Sequence, residues 1–161
     1  MSPKPVVVLL GSKADLAHAR QITDSLGAFG IASEIRIGSA HKVTEFVLTM
    51  LGEYEAEPEP RIFVTVAGRS NALSGVVDPN VRGPVIACPP YSDKFGGMDL
   101  LSTVRMPSGV APMLVLEPDA VGLAIAKMLA PADMAMAAKV AAYQAAQREK
   151  VMADDRAVRG E

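Results

Sequence analysis

The sequence predicts an α/β domain: a parallel sheet of about five strands with helices over both faces and one long helix near the C-terminal end. Three observations carry that reading. Short unbroken apolar runs, which suit strands buried on both sides, recur along the chain; segments of helical period stand between them; and turns rich in glycine, serine and charged residues come directly after the runs. The 161 residues are close to the commonest size for one domain, so the whole of 1–161 reads as a single domain with one core.

The first strand is Val6-Val-Val-Leu-Leu10. Beyond Gly11-Ser12, the residues Leu16, Ala19, Ile22, Leu26 and Phe29 recur at three- and four-residue steps. They make one apolar stripe on a helix that stops at Gly30, where glycine suits a helix end. A second strand covers 34–37, and a second helix is marked by Val43, Phe46, Val47, Met50, Leu51 and Tyr54. An acidic, proline-bearing link at 55–60 leads to the third strand, 62–67, rich in β-branched residues; 85–88 and 113–116 complete the five. From 133 to 153 an alanine-rich segment sets Met136, Val140, Tyr143, Gln147 and Val151 at helical steps. At ~1.5 Å per residue that helix reaches about 30 Å. It reads as an arm packing on a neighbouring subunit, with capping of its own core as the equal alternative.

Lys and Arg number 16 against 18 Asp and Glu, so no global positive field draws the chain to nucleic acid or acidic lipid, and any anion must be held locally. Aromatic residues are only 4% with no Trp, which argues against stacking platforms for bases. The single cysteine, Cys88, excludes a disulfide framework and a cysteine zinc cluster and fits a reducing compartment. The start, Met1-Ser-Pro-Lys-Pro5, runs into an apolar stretch far shorter than a membrane span and shows no targeting signal, which points to the cytoplasm.

In open α/β sheets the ligand sits beyond the carboxyl ends of the strands. Here those ends share a chemistry. The first strand leads into Gly11-Ser-Lys-Ala-Asp15, the second into Gly38-Ser-Ala-His-Lys42 and the third into Ala67-Gly-Arg-Ser-Asn71. Small residues let backbone N–H groups approach a ligand, and a helix N-terminus adds partial positive charge, a combination that suits phosphate. Each turn also has a plainer reading: Ser12 and Asp15 form a weak capping box, and Ser39 suits an N-cap. Recurrence favours the ligand, because unrelated caps need not place Lys13, Lys42 and Arg69 along one sheet edge. No dinucleotide or P-loop motif is present, which disfavours ATP and NAD.

Of the two histidines, His18 reads as a solvated helix side chain, whereas His41 stands at the second turn, where an imidazole suits acid/base work at neutral pH. No His, Cys, Asp and Glu cluster has metal-ligand spacing, so neither metal nor cofactor is expected. Cys88 reads as packing or as a small wall of a pocket. The segment 89–109 is long for a loop; Gly96-Gly97 and Arg105 suggest a lid with an anion contact, and a helix over 98–104 fills part of it. The methionines at stripe positions read as adaptable core.

In order along the chain, Gly11-Ser-x-x-Asp15, Ser39-Ala-His-Lys42, Ala67-Gly-Arg-Ser-Asn71, Cys88-Pro-Pro90 and Arg105-Met-Pro-Ser-Gly109 resemble the phosphoribosylaminoimidazole carboxylase family of purine biosynthesis. The resemblance implies a three-layer flavodoxin-like fold and a homo-oligomer, octamer or tetramer, that needs neither biotin nor metal. The family has two branches. The mutase branch moves carboxylate from N-carboxyaminoimidazole ribonucleotide to the ring carbon, and it typically carries Ser-Ala-His-Arg and a second histidine in the third turn. Here Lys42 stands for that arginine, and Ala72 falls where the second histidine would be. Those departures resemble the branch that carboxylates aminoimidazole ribonucleotide directly with CO2.

The resemblance assigns Gly11, Ser12, Ser39 and Lys42 to the substrate phosphate and its surroundings, Asp15 to the ribose hydroxyls, and His41 to proton transfer. Ala67, Gly68, Ser70 and Leu73 fall to the remaining substrate wall, with Arg69 either a substrate or a structural contact. The competing readings are the mutase, a non-catalytic phosphosugar or nucleotide sensor, and an oligomerisation module.

Overall fold

The structure is a computed structural model describing residues 6–160; the start that bears on targeting, Met1 to Pro5, lies outside the described residues. Five strands, β1 (Val6–Leu10), β2 (Ser33–Ile37), β3 (Phe63–Val66), β4 (Val85–Ala87) and β5 (Met113–Leu114), pair only in parallel. Their order is β2-β1-β3-β4-β5, the flavodoxin-like order expected.

Alternation along the strands divides the core. On one face Val6, Val8 and Leu10, with Val64, Val66 and Ile86, pack under α1 (Leu16–Ala28) and α5 (Val121–Leu129). On the other, Val7, Leu9, Phe63 and Val85 pack under α2 (Thr44–Glu55) and α3 (Ala72–Val77). The central strands are buried on both sides, which is why they read as unbroken apolar runs.

The α1 stripe buries Ala19, Ile22 and Leu26, and the helix ends as glycine suggests: Gly30 takes φ 71°, and the Ile31 N–H donates to the Leu26 carbonyl at 3.1 Å. In α2 the buried set is Val47, Met50, Leu51 and Tyr54. Phe46, expected among them, is 52% exposed, because one residue back is about 100° off that face. α5 has no counterpart among the sequence-predicted elements. Lys127 is its one charged residue, so the face that buries Val121, Gly122, Ile125 and Ala126 has little polar contrast in the sequence.

The last helix, α6 (Met134–Arg159), is capped by Asp133, whose side chain accepts the Ala135 and Met136 N–H groups at 2.9 and 3.1 Å. Its first three turns close this chain's own core. Met136 and Val140 are buried, the Tyr143 ring meets that of Phe29 at 5.3 Å, and Lys139 Nζ donates to the Phe29 carbonyl at 2.7 Å. From residue 145 onward every described residue is exposed, Val151, Met152 and Val158 among them. No helix among the described residues is long and apolar enough to cross a membrane.

Gly122 sits where α5 crosses α1. Its N–H donates to Ser25 Oγ at 3.0 Å, and a Cβ there would run into the Ser25 carbonyl group. Gly122→Ala is therefore expected to destabilise the fold by about 3 kcal/mol through overpacking, read as a lower urea midpoint. An unchanged midpoint contradicts this packing.

Candidate active site

The sheet itself brings the three turns level. Leu10 pairs with Ile37 on one side and Val66 on the other. The ladder continues one step past the strands: the Gly38 N–H donates to the Leu10 carbonyl at 2.8 Å and the Gly11 N–H to the Val66 carbonyl at 2.9 Å. Glycine at 38 answers a steric demand, since a Cβ there would press on Val47 Cγ2 at 2.9 Å. At Gly11 the first turn passes the third closely enough that a Cβ would lie 3.5 Å from that of Ala67.

One cavity of about 540 Å³ opens between them. Gly11, Ser12, Ala14 and Asp15 line it from the first turn, Ser39, Ala40, His41 and Lys42 from the second, and Ala67, Gly68, Arg69 and Ser70, with Leu73 of α3, from the third. The residues that the resemblance assigns to the substrate and to proton transfer are thus walls of one space. Ala14 and Ala40 are lining residues that sequence reasoning missed, because a methyl side chain gives no chemical signal. Lys13, expected beside Lys42 and Arg69, is exposed and does not line the cavity; nor does Arg105.

The local folds differ from turn to turn. Ser12 Oγ accepts the Ala14 N–H at 3.2 Å and starts a 3-10 turn, Lys13–Asp15, but the Asp15 side chain makes no return bond, so the capping box is half formed. Ser39 is not the cap of the second helix. α2 begins at Thr44, and Ser39 instead accepts the Lys42 and Val43 N–H groups on its carbonyl at 3.3 and 3.0 Å, forming the turn that offers His41 and Lys42 to the cavity. Burial raises the Asp15 pKa above the usual carboxylate value, and the nearby His18 pulls it partly back.

In the third turn Arg69 takes φ 63°, an uncommon left-handed conformation for a side-chain-bearing residue. Asn71 anchors the end of that turn. Its Oδ1 accepts the Ser74 N–H at 3.2 Å as the cap of α3, its own N–H donates to Ser102 Oγ at 2.9 Å, and its Nδ2 donates to Thr103 Oγ1 at 3.0 Å. Ser102 and Thr103 belong to α4 (Leu101–Val104), inside the long segment 89–109. That segment lines a second cavity, of about 330 Å³, with Pro89, Pro90, Gly97 and Leu100 among its walls. Ala67 and Arg69 line both cavities, so the third turn stands between them.

His18 is not a solvated side chain. It is half-buried, lines the second cavity, and places Nε2 3.1 Å from the Cys88 carbonyl oxygen and 3.4 Å from Cys88 Sγ. No sequence signal points to this contact, since seventy positions separate the two residues. Cys88 is packed as expected, wholly buried; burial pushes its thiol up to about 12, with Glu117 and then Asp119 adding to the rise. Among the described residues no three His, Cys, Asp or Glu side chains gather as metal ligands.

The AIR carboxylase family model matches residues 5–150. A phosphoribosylaminoimidazole carboxylase of Treponema denticola is 49% identical over 150 residues, 93% of this chain and 94% of its own. Another, of Archaeoglobus fulgidus, is 52% identical over 153 residues, 95% of this chain and 84% of its own. The bifunctional phosphoribosylaminoimidazole carboxylase/phosphoribosylaminoimidazole succinocarboxamide synthetase of Mus musculus is 45% identical over 114 residues, 71% of this chain and 27% of its own. The crystal structure of Treponema denticola PurE aligns with a TM-score of 0.91 at 49% identity, covering 94% of this chain and 97% of that one.

A carboxyl whose pKa rises on folding holds its proton more tightly in the folded chain than in the unfolded one. The charged form of Asp15 therefore costs stability in full above the folded pKa, and the cost fades as pH falls through that value. Asp15→Asn is expected to melt above the parent protein at neutral pH, with the lead shrinking as the pH is lowered to about 4. Thermal melts across that range check it; a variant less stable at neutral pH contradicts it.

Proposed function

The chain belongs to the AIR carboxylase family and is an enzyme of purine biosynthesis; from that premise we propose that in the cytoplasm it carboxylates 5-aminoimidazole ribonucleotide directly with CO2, without ATP or biotin. The observation that carries the choice of branch is the histidine count. The chain has two, and His18 is engaged at the Cys88 carbonyl, so His41 is the one imidazole lining the three-turn cavity. The mutase branch typically has a second histidine in the third turn, where this chain has Ala72.

Ser12, Ser39 and Lys42 hold the phosphate, helped by N–H groups of the first two turns, and Asp15 accepts hydrogen bonds from the ribose hydroxyls. The aminoimidazole ring is an electron-rich enamine, so its C4 attacks the CO2 carbon without an enzyme nucleophile. As that C–C bond forms, an electron pair of one C=O bond moves onto oxygen, where Ser70 and N–H groups of the third turn stabilise the charge. The attacked ring carbon still carries its hydrogen. His41 removes that proton, the C–H electrons restore ring aromaticity, and the products are 4-carboxy-5-aminoimidazole ribonucleotide and a proton. In reverse the same imidazole returns the proton. Ala67 and Gly68 supply a small apolar wall for CO2.

The exposed outer half of α6 supports a second part of the proposal: it packs on a neighbouring copy in a homo-octamer or homotetramer of this single domain.

Aminoimidazole ribonucleotide with CO2/bicarbonate and no ATP is expected to yield product; turnover of the N-carboxy nucleotide alone overturns the direct reaction. His41→Asn is expected to lose at least about 100-fold in kcat while its calorimetric Kd for the nucleotide stays within a few-fold. Lys42→Ala is expected to raise the nucleotide KM about tenfold, the loss of one charge-assisted hydrogen bond. Removing residues 147–161 is expected to lower the number of subunits per particle in light scattering, and an unchanged subunit number contradicts the role given to α6.

A further inference from the structure

Of the two histidines, only His41 has a place in the proposed chemistry, yet His18 makes the more specific contact. A cysteine and an imidazole 3.4 Å apart resemble an activated nucleophile, but the surrounding atoms exclude that reading. His18 Nε2 faces the Cys88 carbonyl oxygen at 3.1 Å. A carbonyl oxygen only accepts, so this nitrogen carries its hydrogen and has no lone pair with which to draw a proton from the thiol. The thiol is wholly buried and has its own acceptor, the Leu116 carbonyl, 3.8 Å from Sγ. Burial holds it up at about 12, so it stays a thiol at neutral pH. The contact is a clasp from a side chain to a backbone carbonyl.

The two ends of the clasp show which parts it joins. Cys88 immediately precedes Pro89-Pro90, and the third turn rests on that dipeptide: a Cβ on Gly68 would meet Pro90 Cγ at 3.4 Å. His18 itself lies one helical turn from Asp15, on the same side of the helix start. We propose that His18 is a positioning residue: by donating its Nε2–H to the Cys88 carbonyl it holds Pro90 against Gly68 and thereby sets the wall of Ala67, Gly68 and Ser70 that faces CO2. The inference rests on the role of that wall in the proposed carboxylation. It also explains a half-buried imidazole that reaches across to the end of β4. A wall displaced by as little as about 1 Å costs orders of magnitude in rate while leaving much of the nucleotide's binding intact.

Substitution by side chains of graded reach tests this. Glutamine places its amide nitrogen as many bonds from the backbone as Nε2, asparagine falls one bond short, and leucine fills the space with no donor. His18→Gln is expected to keep kcat within about twofold, while His18→Asn and His18→Leu lose about tenfold to 100-fold in kcat with the nucleotide KM changed less than about threefold. Assays well below each variant's melting temperature separate this from lost folding. Full activity in His18→Asn and His18→Leu, or equal losses in all three variants, overturns the proposal. The parent protein run alongside tests the underlying reading separately. If it fails to carboxylate with CO2 that reading falls, and the same comparison is made on the N-carboxy nucleotide, whose migrating carboxyl group meets the same wall and is expected to show the same ranking.

Discussion

Two backbone hydrogen bonds, Gly38 N–H to the Leu10 carbonyl and Gly11 N–H to the Val66 carbonyl, set the level at which the three cavity-lining turns leave the sheet. They extend the parallel ladder of β2, β1 and β3 beyond its last residues, so three separate turns leave the sheet at one height. With strands spaced roughly 4.8 Å apart, the turns fall within about 10 Å of one another, the span of one small molecule. The strand order reverses at β1, between β2 and β3, which is where an open α/β sheet leaves a crevice beyond its strand ends. The core supports this arrangement from below, with Val8 and Leu10 packed toward α1 and α5 and Leu9 toward α2 and α3.

The third turn carries the greatest constraint, consistent with its place in the proposed chemistry. Arg69 holds a left-handed backbone that costs a side-chain-bearing residue about 1–2 kcal/mol. The surroundings hold it there. Asn71 uses its N–H, Nδ2 and Oδ1 to tie the turn to α4 and to the start of α3. Pro90 lies against Gly68, and Pro90 in turn comes two residues after the carbonyl clasped by His18. A wall fixed before the substrate arrives needs no reorganisation as charge develops on the CO2 oxygens, which is where preorganised dipoles count most. The first two turns differ, closing on backbone carbonyls and one serine hydroxyl, as suits phosphate and ribose.

Much of this was legible in the sequence because the signals are local. Unbroken apolar runs marked β1, β3 and β4, which are buried on both faces, and Met113-Leu-Val-Leu116 marked β5 at the sheet edge; β2, Ser33–Ile37, mixes charged with apolar residues and is only part-buried, and Gly30 marked the end of α1. The cavity was legible because its chemistry lies in three short stretches, each directly after a strand, and strand ends are where such folds bind. What stayed hidden depends on distance or on missing contrast. α5 carries a single charged residue, Lys127, so its buried face has little polar contrast in the sequence. His18 looked solvated because its partner is seventy positions away. Lys13 has the right type in the right turn, but a 3-10 turn begins there and leaves it outside the cavity wall. Ser39 looked like a cap because helix starts are difficult to place within a few residues, and α2 begins only at Thr44.

The proposed nucleotide site spans all three turns, with the phosphate at the first two and the ring at the third. Amide chemical-shift mapping with aminoimidazole ribonucleotide reads all three turns at once. A single site requires Gly11, Ser12, Ser39, Lys42, Gly68 and Ser70 to shift together and to saturate at one nucleotide concentration. Shifts confined to a single turn, or centred on Gly97 and Leu100 of the second cavity, would contradict it.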